Sequence, residues 1–440
     1  MKPQFIPIVE HRDPRSLHPN PRTARKHTDK KIHKLAAMIG QSKLVTPLFI
    51  DREGIVLAGH ARWQAALELE LEMVPVIVVD HLTKAQARLF AIGDNRIALE
   101  AEWDLELLAS EFTELSLPEL NLDLSLTGFE TGEIDSILSG VSDEDKPDPA
   151  DRVPAIDRSV PSITQLGELW QLGQHRAFIG NSLEPSSFEV LMDGEVAHQV
   201  LSDFPYNVPI DGHVGGLGKL KHDEFAMAAG EMSSDQFQSF NLMAIQLIQK
   251  HVKDGAILMI FMDWRHQEEL LGAARSAKLE LKNICVWDKV NGGMGSLYRG
   301  QHEFVLVFKH GSAPHTNNVQ LGATGRYRTN IWRYPGASMF RKGRKADLAV
   351  HPTVKPVALL MDAICDCSKH SEIILDPFGG SGSTMLAAER VGRRCRIIEI
   401  DPYYMDTAIR RWQKMTGKQA TKVETGETFD KLATRSAEAA

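Results

Sequence analysis

Residues 373–384 read Ile-Ile-Leu-Asp-Pro-Phe-Gly-Gly-Ser-Gly-Ser-Thr, and no other stretch of the chain restricts its architecture so tightly. Three apolar β-formers run into an acid and a glycine-rich turn follows. A Ser/Thr pair then opens a helical run, Met385 to Arg390, that stops before Gly392. The pattern predicts strand, tight loop and helix. A second strand over 396–401 sets Glu399 about 20 residues beyond the glycines, where a nucleotide-binding βαβ unit carries its ribose-binding acid. Glycines let a backbone approach a ligand closely, and a helix N-terminus offers free N–H donors with a partial positive charge. The expected fold class is α/β, with ligands at the carboxyl ends of the strands.

A strand over 196–201 ends in Asp203-Phe204-Pro205-Tyr206-Asn207. At a strand end, where open α/β sheets bind ligands, the Asp203 carboxylate and the Phe204 carbonyl supply two hydrogen-bond acceptors, and Tyr206 adds an aromatic ring. A third motif, His351-Pro352-Thr353-Val354-Lys355-Pro356, lies between the other two.

In this order the three motifs resemble the amino-group DNA methyltransferases that use S-adenosyl-L-methionine, over residues 163–416, in the permuted arrangement called the β group. The resemblance implies a Rossmann-like sheet and a catalytic set of Asp203, Phe204, Pro205 and Tyr206. It implies a cofactor site built from Asp376, Phe378, Gly379, Gly380, Ser381, Gly382 and Glu399, with Asn181, Thr353 and Lys355 beside it. Two positions depart from the family: Phe204 stands for a proline, and Asn181 for an aspartate in Gly180-Asn181-Ser182. Because Phe204 is read as working through its carbonyl, its side chain is expected to matter little, and Phe204→Pro is expected to keep activity. Aspartate at 203 resembles the adenine-modifying members. Two alternatives stay open, a cytosine-N4 enzyme and a DNA- or nucleotide-binding protein with a degenerate methyltransferase domain. An NAD-dependent oxidoreductase is disfavoured by the Gly-Gly-x-Gly spacing.

Charge is segregated along the chain. The net charge is −8, yet residues 100–151 hold 16 acids against one base, while residues 289–345 hold ten bases against one acid. Phosphate binding depends on local neutralisation, so the basic stretch with its interleaved Tyr298, Tyr327, Trp332 and Tyr334 is read as the target-recognition segment, 289–348. Tyr298, Arg299, Arg341, Lys342, Arg344 and Lys345 are its candidate contacts to double-stranded DNA.

Near the N-terminus, Thr28 is positioned to cap a helix over 29–40 with Ile32, Leu35, Ala36 and Ile39 on one face. Strands at 47–50 and 55–58, a helix from Gly59 and a strand at 74–79 make a small α+β domain. Gly59-His60-Ala61-Arg62 and Asp94-Asn95-Arg96 resemble the N-terminal domain of ParB-like and sulfiredoxin-like proteins, over residues 5–98. This implies a nucleotide held by Gly59, Arg62, Asn95 and Arg96.

The expected organisation is a ParB-like domain at 1–100, an acidic helical extension at 101–140, a proline-rich linker at 141–161, the methyltransferase domain at 162–418 and a disordered tail at 419–440. Cys285, Cys365, Cys367 and Cys395 lack zinc or Cys-x-x-Cys spacing, so neither a disulfide framework nor a metal is implied. No apolar run reaches the roughly 18 residues of a membrane span and no signal-peptide core is present, which predicts a cytoplasmic protein. A homodimer and a restriction-modification setting are compatible with the resemblance.

Overall fold

The computed structural model describes residues 7–21, 28–43, 45–97, 103–116, 120, 122–139, 148–154, 156–208, 230–290, 292, 297–319, 326, 328–336 and 354–439. They form two compact units, 1–141 and 142–440.

The first unit contains β1 (Val9–Arg12), α1 (Asp29–Ser42), β2 (Leu48–Ile50), β3 (Val56–Ala58), α2 (His60–Glu68), β4 (Val74–Val78), α3 (Lys84–Ile97), α4 (Leu105–Leu115) and α5 (Thr131–Ser139). Its sheet runs β1-β4-β2-β3. The Thr28 hydroxyl caps α1 by accepting from the Lys31 N–H, and Ala36 and Ile39 bury one face against Ala65. Gly59 starts α2 at φ +96°, and a Cβ there would come within 2.8 Å of Leu48 Cδ2, so both backbone and packing require glycine. Helices α4 and α5 close a small core of Phe112, Leu124 and Ile134.

The second unit contains β5 (Leu169–Leu172), β6 (His175–Ile179), α6 (Pro185–Met192), β7 (Ala197–Asp203), α7 (Ser234–Gln249), β8 (Val252–Met262), α8 (Gln267–Ser276), β9 (Glu280–Asp288), β10 (His302–Lys309), β11 (Ile331–Arg333), α9 (Val357–Cys367), β12 (Ile373–Asp376), α10 (Ser383–Arg390), β13 (Arg394–Glu399), α11 (Pro402–Thr416), β14 (Thr421–Lys422) and α12 (Phe429–Ala439). One sheet of ten strands runs β11-β9-β10-β8-β7-β12-β13-β6-β5-β14. The pairs β8–β7, β7–β12, β12–β13 and β13–β6 are parallel.

Parallel strands with helices on both faces must be apolar on both sides. Strand β8 shows this: Ile257, Met259 and Phe261 join one core with α9, α10 and α11, while Leu258, Ile260 and Met262 join the other with α6, α7 and α8. From β7 the chain proceeds to β8 on one side, and from β12 to β13 on the other. The carboxyl ends of β7 and β12 therefore flank the point where strand order reverses, the place where open α/β sheets bind ligands.

Two boundary expectations are corrected. The tail is folded: β14 pairs with β5, Phe429 is fully buried with its ring edge-on to Trp170 at 5.6 Å, and α12 follows. A few apolar anchors and a strand edge suffice to order a polar segment. The linker is docked at its end, where Asp148 pairs with Arg390 and Asp151 accepts from the Val357 N–H at 2.8 Å. Among the described residues no helix is long and apolar enough to cross a membrane.

Candidate active site

Three neighbouring parallel strands each end in an acid: β7 in Asp203, β12 in Asp376 and β13 in Glu399. They open onto a cavity of about 190 Å³, whose walls also include Phe204, Pro205, Tyr206, Lys355, Phe378, Gly379, Gly380 and Ser381.

Asp376 holds the two strand ends together. Its Oδ1 accepts from the Ser202 hydroxyl at 2.7 Å and from the Phe378 N–H at 3.2 Å, and burial pushes its carboxyl up to about 6. The loop after it turns on Gly380 at φ +51° and Gly382 at φ +80°. A Cβ on Gly382 would lie 2.7 Å from that of Ala408, so this glycine serves helix packing and stands outside the cavity wall. Glu399 accepts from the Gly380 N–H at 2.7 Å through one oxygen and from the Asp401 N–H at 2.9 Å through the other. Burial pushes it up to about 7. Each oxygen keeps a second lone pair, so a half-buried acceptor lines the cavity beside Gly379 and Gly380. These residues fit a ligand carrying sugar hydroxyls.

Arg411, which lies outside every motif, staples this loop. Its guanidinium is buried and donates to the Ser381 carbonyl at 2.5 Å, to the Ser381 and Ser383 hydroxyls, and to the Ala150 carbonyl at 2.7 Å. Asn181 has a different place from the expected one. Its side-chain oxygen accepts from the Leu183 N–H at 2.9 Å in a local turn, and Ser182 lines the cavity instead.

The other half of the cavity is an ionic network. Lys355 Nζ stands 2.5 Å from Asp203 Oδ2 and 3.1 Å from Glu303 Oε2. The Tyr206 hydroxyl lies 2.7 Å from Asp203 Oδ1 and 2.9 Å from Glu303 Oε2, and Lys289 pairs with Glu303 at 2.5 Å. Lys355, expected beside the cofactor, lines the cavity, and its ammonium is engaged by the acid of β7 and by Glu303. It also faces the rings of Phe261, Tyr206 and Trp287 at 5.2–5.8 Å. Burial raises Asp203, and Lys355 offsets that only in part. Burial would raise Glu303 too, but Lys355 and Lys289 hold it down at about 2. Burial disfavours the Lys355 charge, yet Asp203 and Glu303 outweigh it and keep the ammonium protonated. Glu303 and Lys289 flank the β9–β10 connection, far from every motif in sequence.

Phe204 corrects the sequence reading. Its side chain is 1% exposed and packs into the core beside Phe378. Part of the basic stretch is also internal. Arg326 and Arg328 are committed to Asp362 and Asp366 on α9, Arg328 also meets the Tyr334 hydroxyl, and Trp332 is buried. The i,i+4 spacing of Asp362 and Asp366 was the available signal. Tyr298 is 84% exposed, and Arg299 donates to the Gly292 carbonyl. Thr353, Arg341, Lys342, Arg344 and Lys345 lie outside the described residues, as do the side chains of Asn95 and Arg96, which fall on α3. In the first unit, the Arg62 guanidinium lies over Gly59, about 3.1 Å from where a Cβ would stand. Among the described residues no cluster of His, Cys, Asp or Glu could hold a metal.

Comparison with known proteins divides the chain in three. Residues 197–410 match the DNA methylase family model, residues 7–96 the ParB N-terminal domain and residues 106–166 the ParB-methyltransferase HTH domain. The last covers the stretch read from sequence as acidic extension and linker. Type II methyltransferase M2.MboI of Moraxella bovis is 28% identical over 31% of this chain and 51% of its own length. Type II methyltransferase M.ScaI of Streptomyces caespitosus is 32% identical over 23% of this chain and 34% of its own length. The chain thus spans about half of the first and a third of the second. The cytosine-N4-specific PvuII DNA methyltransferase superposes with a TM-score of 0.42 at 15% identity, over 62% of this chain and 96% of that one.

Proposed function

From a chain that joins a ParB N-terminal domain to a DNA methylase domain of the N6/N4 family, we propose a site-specific DNA methyltransferase that modifies the exocyclic amine of adenine. One observation carries this reading: a carboxylate on β7, Asp203, shares a single cavity with the glycine loop and the half-buried Glu399. Bound there, S-adenosyl-L-methionine would supply an electrophilic methyl group on a sulfonium sulfur.

The residues of the chain divide the remaining work. Glu399 accepts from the ribose hydroxyls, and the loop around Gly379 and Gly380 lets the methionine end approach the backbone. Asp203 and the Phe204 carbonyl accept from the target amine and favour its tetrahedral form, while Pro205 and Tyr206 position the base. As nitrogen gains the methyl it sheds one proton toward Asp203. Transfer is a direct in-line displacement, dominated by positioning. A covalent cysteine intermediate has no candidate: burial pushes Cys285 up to about 12, and no cysteine follows a proline. Aspartate at 203 is the feature that favours adenine over cytosine. Gly59 and Arg62 are the proposed phosphate contacts of a nucleotide in the first unit.

The test is methyl transfer to unmodified double-stranded DNA from a labelled donor, followed by nucleoside analysis. N6-methyladenine is expected, N4-methylcytosine would move the assignment to cytosine, and unmodified DNA would refute the activity. Asp203→Ala should lower kcat far more than it weakens binding of cofactor or DNA, because the contact strengthens only in the transition state.

A further inference from the structure

We propose that Glu303 is a positioning residue that draws Lys355 and the Tyr206 hydroxyl away from Asp203 when the target amine arrives. The proposal rests on the reading of Asp203 as the amine acceptor.

In the structure both Asp203 oxygens are already served, Oδ2 by Lys355 at 2.5 Å and Oδ1 by Tyr206 at 2.7 Å. The Lys355 ammonium also faces the rings of Tyr206, Phe261 and Trp287, of which Tyr206 and Phe261 line the cavity beside Asp203. A neutral amine is a weaker donor than an ammonium held at a carboxylate, where both partners are charged. The site as it stands competes with its own substrate.

Glu303 is placed to end that competition. It is 8% exposed, sits on β10 opposite Trp287 of β9, and is fixed by Lys289 at 2.5 Å. Lys355 is 3.1 Å from it, so the ammonium already lies within reach of both carboxylates and has a partner waiting when it leaves Asp203. Tyr206 has one hydroxyl hydrogen and two carboxylate oxygens within reach, at 2.7 and 2.9 Å, so a rotation about the C–O bond moves that hydrogen from Asp203 to Glu303. With Lys289 and Lys355 facing two carboxylates, the four charges cancel before and after the handover. No charge has to enter or leave the buried site, which keeps the step inexpensive.

The negative charge of Glu303 is therefore what matters, more than its size. Single-turnover rates should be compared for the unchanged protein, Glu303→Gln, Glu303→Asp and the double variant Glu303→Gln with Lys355→Met. We expect Glu303→Gln to lose about tenfold or more in rate with cofactor affinity nearly unchanged, and to melt lower because Lys289 loses its charged partner. Glu303→Asp should lose less. The double variant should be faster than Glu303→Gln alone, because removing the lysine removes a competitor that a neutral amide no longer draws off. A structural role would make the two losses add. Unchanged turnover in Glu303→Gln, a double variant slower than Glu303→Gln, or Glu303→Asp as slow as Glu303→Gln would each overturn the handover. Absence of methyl transfer by the unchanged protein would instead refute the proposed activity, and the handover with it.

Discussion

The ring of Phe204 meets that of Phe378 edge-on, with centroids 4.7 Å apart and planes at 63°. One belongs to the turn after β7 and the other to the glycine loop after β12, so this contact couples the two motifs that line the cavity. Phe204→Pro would restore the family residue but delete a ring that is 1% exposed. A cost of about 3–5 kcal/mol is expected for emptying such a site, with weaker cofactor binding because Phe378 precedes Gly379. Thermal denaturation and calorimetry check both. An unshifted melting temperature would mean that the turn tolerates the cavity and that the side chain matters as little as the motif alone suggests.

Glu399 gives the protein a pH signature. Its folded-state value, about 7, lies above the ordinary value of 4.5, so the folded state binds the proton more tightly than the unfolded one. Stability from this group is fully present below about 4.5 and is lost as pH rises through about 7. Glu399→Gln should flatten that decline. Cofactor affinity should run the other way, rising from about pH 6 to about pH 8, since sugar hydroxyls donate best to the ionised carboxylate. Glu399→Ala should weaken binding by about 1.5–3 kcal/mol. Calorimetric titrations with equal affinity in Glu399→Ala would remove this residue from the site.

Residues 148–151 belong to the second unit. Asp148 pairs with Arg390, Asp151 receives the Val357 N–H, and the Ala150 carbonyl receives Arg411, which also grips Ser381. A chain beginning at Lys146 should therefore fold and bind cofactor normally, whereas one beginning at Pro161 should melt lower and bind more weakly. Equal melting temperatures and affinities would show that these bonds hold nothing. Arg411→Lys should resemble the shorter chain, because an ammonium cannot reproduce the forked contacts.

The basic stretch contains two kinds of arginine, and salt distinguishes them. Neutralising Arg341, Lys342, Arg344 and Lys345 together should reduce the slope of log affinity for DNA against log salt by about 0.9 for each phosphate that is no longer paired. Arg328→Met should leave that slope alone and lower the melting temperature, since Arg328 is committed to Asp362 and Asp366. A changed slope in Arg328→Met, or an identical slope in the quadruple variant, would reverse the assignment.

The residues legible in the sequence were those whose partners are close along the chain. Strand, glycine turn and helix follow one another over 373–390, and Glu399 closes the βαβ unit within reach of Gly380, so local chemistry alone placed them in order. Thr28 at the start of α1 was equally local. The helix-turn-helix match over 106–166 was missed because its acidic, leucine-rich helices show periodicity but no residue that marks their arrangement. What the tertiary structure decided is which distant side chains meet. Tyr206 and Glu303 are 97 positions apart, and Lys355 and Asp203 are 152 apart. They come together because β10 pairs with β8, β8 pairs with β7, and Lys355, just before α9, meets Asp203 and Glu303. Strand order is set by the joint burial of two apolar faces over the whole sheet, a sum over many residues that no single motif contains. The same sum made the Phe204 side chain a buried contact and committed Arg326 and Arg328, two bases of the basic stretch, to α9.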